Sequence, residues 1–537
     1  MWWWGWALAL GQPAAEVVIT PPEPPLPFQY ELTLSSTARW QLDNGDRTTP
    51  FVRDYDPTGE NFGDLVSTLG ASLTYDRFLA AIRVDEAWYL HQPIAAMGAS
   101  QLIQDQLTDR YRDQLRLEYA AVTYSDPDVE ATVGDFYVTL ARGMVLAIRK
   151  VDDVGIDNKL RGGEAKARLG PVTAHAFAGF LNLKNYEPGT GYAYRDPNDL
   201  VAGGRLEYGL GRYLKLGTHA MRMRPEEGVN GSNIVIDGYG ASLELPRPVP
   251  WGSFYAEVAR LERNAREGGI SNERTGYGAY GALELQLGPT TLLIEGKYYD
   301  QFFSILPGGV VSSERQGINR LSEPPSAERP QALLLSNETV HGGRAKLDLR
   351  IWPELTPYVS IGRYRDGRTI DSNITSAFAG VRGRWSSGHA SVESGFRGQY
   401  GSEGASLGRV VRTDLHLVLD VAQELFGPFS AELFVSGQRV EEFKPPDDVT
   451  AWVEGRAALS LLSSDRWSVT GAWEIYTKTP DQFDVHYLSI AGQWEFGEGN
   501  FLRALYGGER AGLKCSGGVC RFFPGFEGGR VELVFRL

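Results

Sequence analysis

Seven histidines, two cysteines and many charged side chains that recur at every second position are the residues of this chain that could carry chemistry. The histidines form no HExxH motif and no closely spaced ligand set; they are His91, His175, His219, His341, His389, His416 and His486. A nucleophile with an adjacent base can be assembled in space, but no spacing here indicates one. We therefore predict no enzymatic activity, no metal site and no cofactor.

The two cysteines, Cys515 and Cys520, are separated by four residues in the Gly-rich segment KCSGGVC. A metal site would need two more ligands nearby, and the sequence supplies none. A small loop closed by a disulfide in an oxidising compartment is one interpretation, and a pair of free thiols is the other.

Charged residues form the third set, and they share one phase of an alternating pattern. In AKLDLRIW, Leu347, Leu349 and Ile351 fall on one face, opposite charged residues on the other. Such alternation is typical of a strand that packs one face against an apolar environment and exposes the other face to water. The candidates for a charged wall are Glu284, Lys346, Asp348, Arg350, Arg412, Asp414, Glu454 and Arg456. Their mixed signs fit a selective water-filled lumen, or plain cross-strand ion pairs.

The alternating segments are about 10 to 14 residues long, whereas strands of globular proteins average about five or six. About 9 to 11 tilted residues cross the hydrocarbon of a bilayer. Short turns such as Asp76-Arg77, Gly170-Pro171 and Gly427-Pro428 alternate with long polar connections. Short turns on one side and long loops on the other are typical of an outer-membrane barrel.

Counting along this alternation predicts an all-β fold: a single transmembrane antiparallel β-barrel of about 24 strands, within a range of about 22 to 26. The count is even and places both chain ends on the side of the short periplasmic turns. We predict a signal peptide over residues 1–15, a Pro-rich periplasmic lead-in over 16–27 and the barrel over 28–537. The formal charge of −14, without a basic stripe, argues against nucleic acid as a partner.

The last strand, with Val531, Leu533, Phe535 and Leu537 alternating, resembles the C-terminal insertion signal of bacterial outer-membrane β-barrels. The resemblance to this porin-like class extends from Phe28 to Leu537, although the chain ends on Leu rather than Phe. It implies the bacterial outer membrane as location, with membrane lipids and the barrel-assembly machinery as partners. A second block, comprising GDFY (134–137), RG (142–143), GID (155–157) and LRG (160–162), is similar to uncharacterised large barrels of Gram-negative bacteria, which have no assigned activity.

The segment from Val129 to Arg149 has roughly twice the residues that one crossing needs. We predict that the excess, around Gly134 to Gly143, folds into the lumen, where Asp135, Arg142 and Arg149 pair with wall charges. The apolar run 144–148 would then be a strand covered by lipid on one face and by the inserted residues on the other. The alternative is an irregular strand end without a role.

Two functions remain open at the level of sequence. The first is a channel or porin-like conduit, narrowed by the segment near 129–149 and by long loops, of which 301–338 is the largest. The second is the outer-membrane subunit of a larger export, surface-attachment or motility assembly, plugged by a periplasmic or lipoprotein subunit. Strand length argues against a secreted soluble multi-sandwich protein. Only some 12 residues lie between the predicted signal peptide and the first strand, which argues against a receptor with a folded N-terminal plug.

Overall fold

The structure of the chain is a computed structural model. It describes residues 28–42, 62–91, 111–186, 195–226, 233–267, 270–309, 311–312, 320–325, 338–367, 372–401, 409–444, 448–463, 466–477, 485–510, 512–516, 519–523 and 525–537. The predicted signal peptide and lead-in lie outside these ranges. Within them, no helix is long and apolar enough to cross a membrane.

Twenty-four antiparallel strands form one sheet. The first twelve are β1 (Gln29–Gln41), β2 (Phe62–Tyr75), β3 (Phe78–His91), β4 (Gln114–Ser125), β5 (Val129–Phe136), β6 (Lys159–Leu169), β7 (Val172–Asn182), β8 (Leu200–Leu210), β9 (Leu214–Arg224), β10 (Asn233–Val249), β11 (Gly252–Glu267) and β12 (Ile270–Leu287). The other twelve are β13 (Thr290–Asp300), β14 (Val340–Leu349), β15 (Leu355–Asp366), β16 (Ser372–Trp385), β17 (Gly388–Gly401), β18 (Val410–Glu424), β19 (Phe429–Lys444), β20 (Asp448–Ser463), β21 (Trp467–Tyr476), β22 (Val485–Glu495), β23 (Phe501–Glu509) and β24 (Phe526–Arg536).

The sheet closes on itself because β1 pairs with both β2 and β24. Its register with β24 runs from Thr33 opposite Arg536 to Gln41 opposite Gly528. Two further backbone hydrogen bonds join Leu32 and Leu537, from N to O at 3.1 Å and in return at 2.8 Å. Closure leaves no sheet edge, so every barrel strand has a partner on each side. The predicted fold and strand number are confirmed.

Short turns and long connections alternate around the barrel as predicted. Tight turns join β2 to β3 at Asp76-Arg77, β6 to β7 at Gly170-Pro171 and β12 to β13 at Gly288-Pro289. The φ angles of Asp76, Gly170 and Gly288 are +50°, +61° and +61°, the left-handed conformation that such turns require. The start of β1 lies on the side of these tight turns, since Gln29 stands opposite Thr74, next to the turn at Asp76-Arg77. The end of β24 lies on the same side, since Arg536 stands opposite Thr33.

The prediction for the segment 129–149 was wrong about where the strand ends. β5 stops at Phe136, and the chain returns to the wall only at Lys159, where β6 begins. Residues 137–158, here called the first insert, thus connect β5 to β6 in the place of an ordinary loop. The apolar run 144–148 lies inside this insert and not in a lipid-facing strand.

Candidate functional site

The outer surface of the barrel carries an apolar belt between aromatic side chains. Along β18, Leu415 and Leu417 are 55% and 50% exposed, whereas Asp414 and His416 on the opposite face are buried. Exposed aromatic residues lie beside the turns, among them Tyr75, Phe78, Trp251, Trp352, Trp385, Phe426, Trp467 and Trp494. Others lie toward the loop side, namely Tyr239, Tyr277, Tyr298, Trp473 and Tyr506. A closed barrel with an apolar belt between two aromatic girdles is built to sit in a bilayer. The chain is an outer-membrane β-barrel.

The first insert folds into the lumen as two small hairpins. Val138–Thr139 pairs with Ala147–Ile148, and Lys150–Val151 pairs with Ile156–Asp157 around a 3-10 turn at Asp152–Val154. The first hairpin turns tightly at its tip, where Gly143 N donates to Leu140 O at 2.9 Å. Gly155 ends the 3-10 turn with φ +68°, a left-handed conformation that glycine adopts without strain.

Apolar side chains of the first insert pack against the inner wall. Met144, Val145 and Ile148 have no exposed surface. A Cβ atom on Gly238 of β10 would lie 2.4 Å from Val145 Cγ1, and one on Gly278 of β12 would lie 2.7 Å from Met144 Cε. The wall residues of this cluster come from β5 to β13, among them Phe177, Leu181, Val201, Met221, Met223, Ile236 and Leu261. The hydrophobic core of this protein therefore lies inside the barrel, on one side of the lumen.

A buried polar cluster anchors the base of the first insert. Asp157 accepts hydrogen bonds from Arg83 Nη2 and the Tyr137 hydroxyl, both at 2.7 Å, and its Oδ1 lies 3.4 Å from Lys159 Nζ. Lys159 Nζ also donates to Glu118 at 3.3 Å. Burial opposes ionisation of Asp157, but the Lys159 ammonium and the Arg83 guanidinium outweigh it and hold the pKa of the carboxyl below its usual range.

The tip of the first insert presents Arg142 to the lumen. Its guanidinium carbon lies 3.8 Å from the ring centroid of Tyr255 and 5.5 Å from that of Tyr280. Its backbone N–H donates to Glu257 Oε2 at 3.2 Å. Tyr255 and Tyr280 face the lumen from β11 and β12. The structure thus brings Arg142 to the wall, but through aromatic rings and its backbone rather than through the predicted ion pair.

Arg149 contacts a second segment inside the barrel, not the wall. The described residues of 301–338, namely 301–309, 311–312, 320–325 and 338, are called the second insert, and Glu323 of this insert forms an ion pair with Arg149. Backbone hydrogen bonds join the two inserts, from Ala147 N to Leu321 O and from Glu323 N to Gly143 O, both at 2.8 Å. Burial raises the pKa of the Glu323 carboxyl, and Arg149 partly offsets this. The described parts of the two inserts are thus joined to each other inside the barrel.

Asp135, the third residue predicted for the constriction, belongs to the wall. It is buried near the end of β5, where its carboxylate accepts hydrogen bonds from Arg161 Nε at 3.0 Å, Asn182 Nδ2 at 2.7 Å and Ala120 N at 2.7 Å. Its ion pair with Arg161, at 3.0 Å, is formed within the wall and not by an inserted segment. The pair joins β5 to β6 and does not cross the lumen.

Charged residues predicted for the lumen mostly occupy the inner face. Lys346 Nζ lies 3.0 Å from Asp348 on β14, and Asp348 also pairs with Arg382 of β16. Glu284 faces the lumen from β12 and accepts a hydrogen bond from Gln286 Nε2 at 3.1 Å. Arg350 lies beyond the end of β14 in an exposed turn and does not line the lumen.

A second group of predicted charges lies across the barrel. Arg412 of β18 contacts Asp414 at 2.9 Å and Glu442 at 3.5 Å, and Asp414 also accepts from Arg397 of β17 at 2.8 Å. Two further pairs join Glu454 to Arg510, and Arg456 to Glu474, each at 2.9 Å. These charges form cross-strand networks of alternating sign, which is the plainer of the two interpretations made from the sequence.

The cysteines lie in a loop-side hairpin. Gly512–Ser516 pairs with Val519–Phe523, and the backbone register sets Cys515 opposite Cys520. Their side chains fall outside the described part of the chain, so the disulfide stays a prediction. Elsewhere, the described residues hold no group of three or more His, Cys, Asp or Glu side chains that could bind a metal.

The residues that receive the first insert were missed by the sequence reasoning. Met221, Met223 and Leu261 occupy the inward phase of β9 and β11, where β14 to β24 carry many charges. Gly238 and Gly278 in the same phase leave the space that Val145 and Met144 fill. The sequence does carry a signal for this surface: apolar residues and glycines occupy the lumen-facing positions of neighbouring strands, where charged residues would be expected.

A family model matches the C-terminal part of the chain. It is a family of unknown function, DUF6029, and the match covers residues 439–537, from β19 to β24. This is less than a fifth of the chain and does not include the inserts. No curated protein matches.

Solved structures that resemble the chain are outer-membrane proteins. The siderophore receptor PirA of Pseudomonas aeruginosa is 9% identical, with 95% of this chain and 80% of that chain covered and a TM-score of 0.48. The copper transporter OprC is 11% identical, with 95% and 80% covered and a TM-score of 0.44. The outer membrane protein OpdK of Pseudomonas aeruginosa is 11% identical, with 77% and 98% covered and a TM-score of 0.38. Likeness at this level carries no inference about what the chain transports or binds.

Proposed function

We propose that the chain is a channel for small hydrophilic solutes, with a lumen narrowed on one side by the first and second inserts. The observation that carries this proposal is the docking of the first insert inside the barrel. A barrel of 24 strands encloses more space than the 16 to 18 strands of an open porin. Segments that occupy part of that space limit the size of what passes.

The wall opposite the inserts supports the same proposal. The ion pairs of β14 to β24 leave charged groups on the inner face, and Arg412 and Arg382 are each about a third exposed there. Charges that remain exposed need water, since burying them without a partner would cost several kcal/mol each. We infer that a water-filled path runs through the lumen along β14 to β24. Membrane lipids and the barrel-assembly machinery stay predicted partners, and the lack of enzymatic activity stays a prediction.

Conductance in planar bilayers tests the channel. The purified full chain should form a steady open pore. A variant with residues 138–157 replaced by a short Gly-Ser linker should show a conductance larger by roughly twofold, because the narrowest part of the path widens. A variant with the connection 402–408 shortened, which leaves both inserts intact, is the control and should conduct like the unmodified chain.

Silence of the unmodified chain in the bilayer, together with a periplasmic or lipoprotein subunit that co-purifies with it, would contradict the channel. That result would support the alternative, an outer-membrane subunit of a larger assembly. Equal conductance of the unmodified chain and the linker variant would show that the first insert does not narrow the path.

A further inference from the structure

We infer that a cavity between the tip of the first insert and the inner wall of β10 to β13 binds a zwitterionic solute about the length of a tripeptide. The cavity has a volume of about 380 Å³ and is lined by Arg142, Tyr255, Tyr280, Glu284 and other residues of these strands. Pockets that hold small molecules begin at about 300 Å³. The inference rests on the proposed function in one respect, because the solute reaches the cavity through the watered lumen.

Arg142 supplies the positive end of the cavity. Its guanidinium stacks over Tyr255, and among the described residues it forms no ion pair with a carboxylate. The rings hold the side chain in place. Nη1 of Arg142 donates a long hydrogen bond of 3.5 Å to the Tyr280 hydroxyl, and its other side-chain N–H groups have no partner within the ranges that the structure describes. A guanidinium in this state binds a carboxylate with two parallel hydrogen bonds.

Glu284 supplies the negative end. It lines the same cavity, and in the described part of the chain its only polar contact is the amide of Gln286 at 3.1 Å. The other lining carboxylates have stronger partners. Glu295 accepts from Arg344 Nε at 2.6 Å and from the Tyr280 hydroxyl at 2.5 Å, and Glu244 lies 3.5 Å from Lys215 Nζ. Glu284 is therefore the carboxylate available to an ammonium group.

The spacing of the two charges selects the length of the solute. Arg142 stacks on Tyr255, which stands opposite Ala282, and also contacts Tyr280. Glu284 follows Ala282 by two positions and Tyr280 by four, so the two charges are separated along β12 by about 7 to 13 Å at 3.3 Å per residue. An extended tripeptide spans about 10 Å and carries a carboxylate at one end and an ammonium at the other.

Titration calorimetry on the detergent-solubilised full chain tests this inference with three probes: triglycine, N-acetyltriglycine and triglycine amide. Triglycine should bind at least tenfold more tightly than either probe that lacks one charge. Arg142→Met should weaken triglycine and N-acetyltriglycine but leave triglycine amide unchanged. Glu284→Gln should weaken triglycine and triglycine amide but leave N-acetyltriglycine unchanged.

Two variants separate binding from damage to the fold. Arg142→Lys keeps the charge and should retain part of the affinity for triglycine. Glu532→Gln removes a carboxylate that pairs with Arg503 at 3.0 Å on another part of the wall, and it should leave triglycine binding unchanged. Absence of triglycine binding, or equal binding of all three probes, would overturn the inference. If the chain binds triglycine in this charge-dependent way but forms no pore, the inference about the cavity stands and only the proposed channel function is contradicted.

Discussion

Asp157 links the first insert to the barrel wall at the scale of single residues. Its carboxylate contacts Arg83, Tyr137 and Lys159, and the whole group is largely withdrawn from water. Removing one member of a buried ion pair leaves its partner uncompensated, at a cost of about 3 to 5 kcal/mol. The exposed pair of Lys150 and Asp152 in the same insert contributes at most about 1 kcal/mol.

We predict that Asp157→Asn weakens docking of the first insert by about 3 kcal/mol, because Arg83 and Lys159 lose a shared anion. Chymotrypsin cleavage after Leu140 or Leu146, which are buried when the insert is docked, should accelerate about 100-fold. Asp152→Asn is the matched control and should change the rate less than about fivefold. Similar rates for the two variants would contradict the anchoring role of Asp157.

The same carboxyl predicts a dependence on pH. The pKa of Asp157 is lower in the folded chain than in the unfolded chain, so its contribution is complete at neutral pH. It is lost as the pH falls below about 4 toward the lower folded value. Pepsin cleavage after Leu140 or Leu146 should therefore accelerate between about pH 4 and pH 2, and Asp157→Asn should show a smaller acceleration. A pH profile unchanged by the substitution would contradict this assignment.

At the scale of elements, close packing holds the first insert against the wall in addition to the charge interactions of Asp157. Gly238 lets the backbone of β10 come close enough for Val145 to fill the space, with Leu261 and Met221 on either side. A valine at that position would need the volume that Val145 occupies. Dense packing inside a protein gives little room for such a change.

We predict that Gly238→Val displaces the first insert while the barrel still closes, because the added methyl groups lie on the lumen side of the ladder. Faster chymotrypsin cleavage after Leu146 and a larger conductance should accompany the change. Gly471→Val on β21 is the control, since nothing lies within 4 Å of the added Cβ there. An unchanged cleavage rate in Gly238→Val would show that the insert adapts to the valine.

Closure of the barrel is a property of the whole molecule, and it depends on the pairing of the first and last strands. Ser35 stands opposite Thr68 on one side and Val534 on the other. Proline in the middle of a sheet removes a ladder hydrogen bond and is tolerated only at edges, strand starts and bulges. A closed barrel offers no such edge at Ser35.

We predict that Ser35→Pro prevents most molecules from closing. The unmodified chain should migrate faster on gels before heating than after, and the fast band should largely disappear in the variant. Gln29→Pro, at the start of β1 and outside the register with β24, should retain the fast band. Normal heat-modifiable migration of Ser35→Pro would contradict the role of this pairing.

The barrel could be predicted from the sequence because its signals are local. Alternation within each strand and turn residues such as Gly170-Pro171 and Gly288-Pro289 depend on neighbours in the chain. The candidate site was predicted only in part. Arg142 and Glu284 were expected in the lumen, but not in one cavity, because their approach depends on how the first insert folds back across β11 and β12.

The sequence by itself determined the closed barrel, its 24 strands and the inward phase of its charges, because each follows from a period of two residues and from turn chemistry. Only the tertiary structure decided where the apolar run 144–148 goes. The local sequence of an apolar run does not distinguish between a strand that faces lipid and a segment that packs against protein. The surface that receives it, including Gly238 and Leu261, lies far along the chain, and its shape exists only once the strands have closed into a barrel.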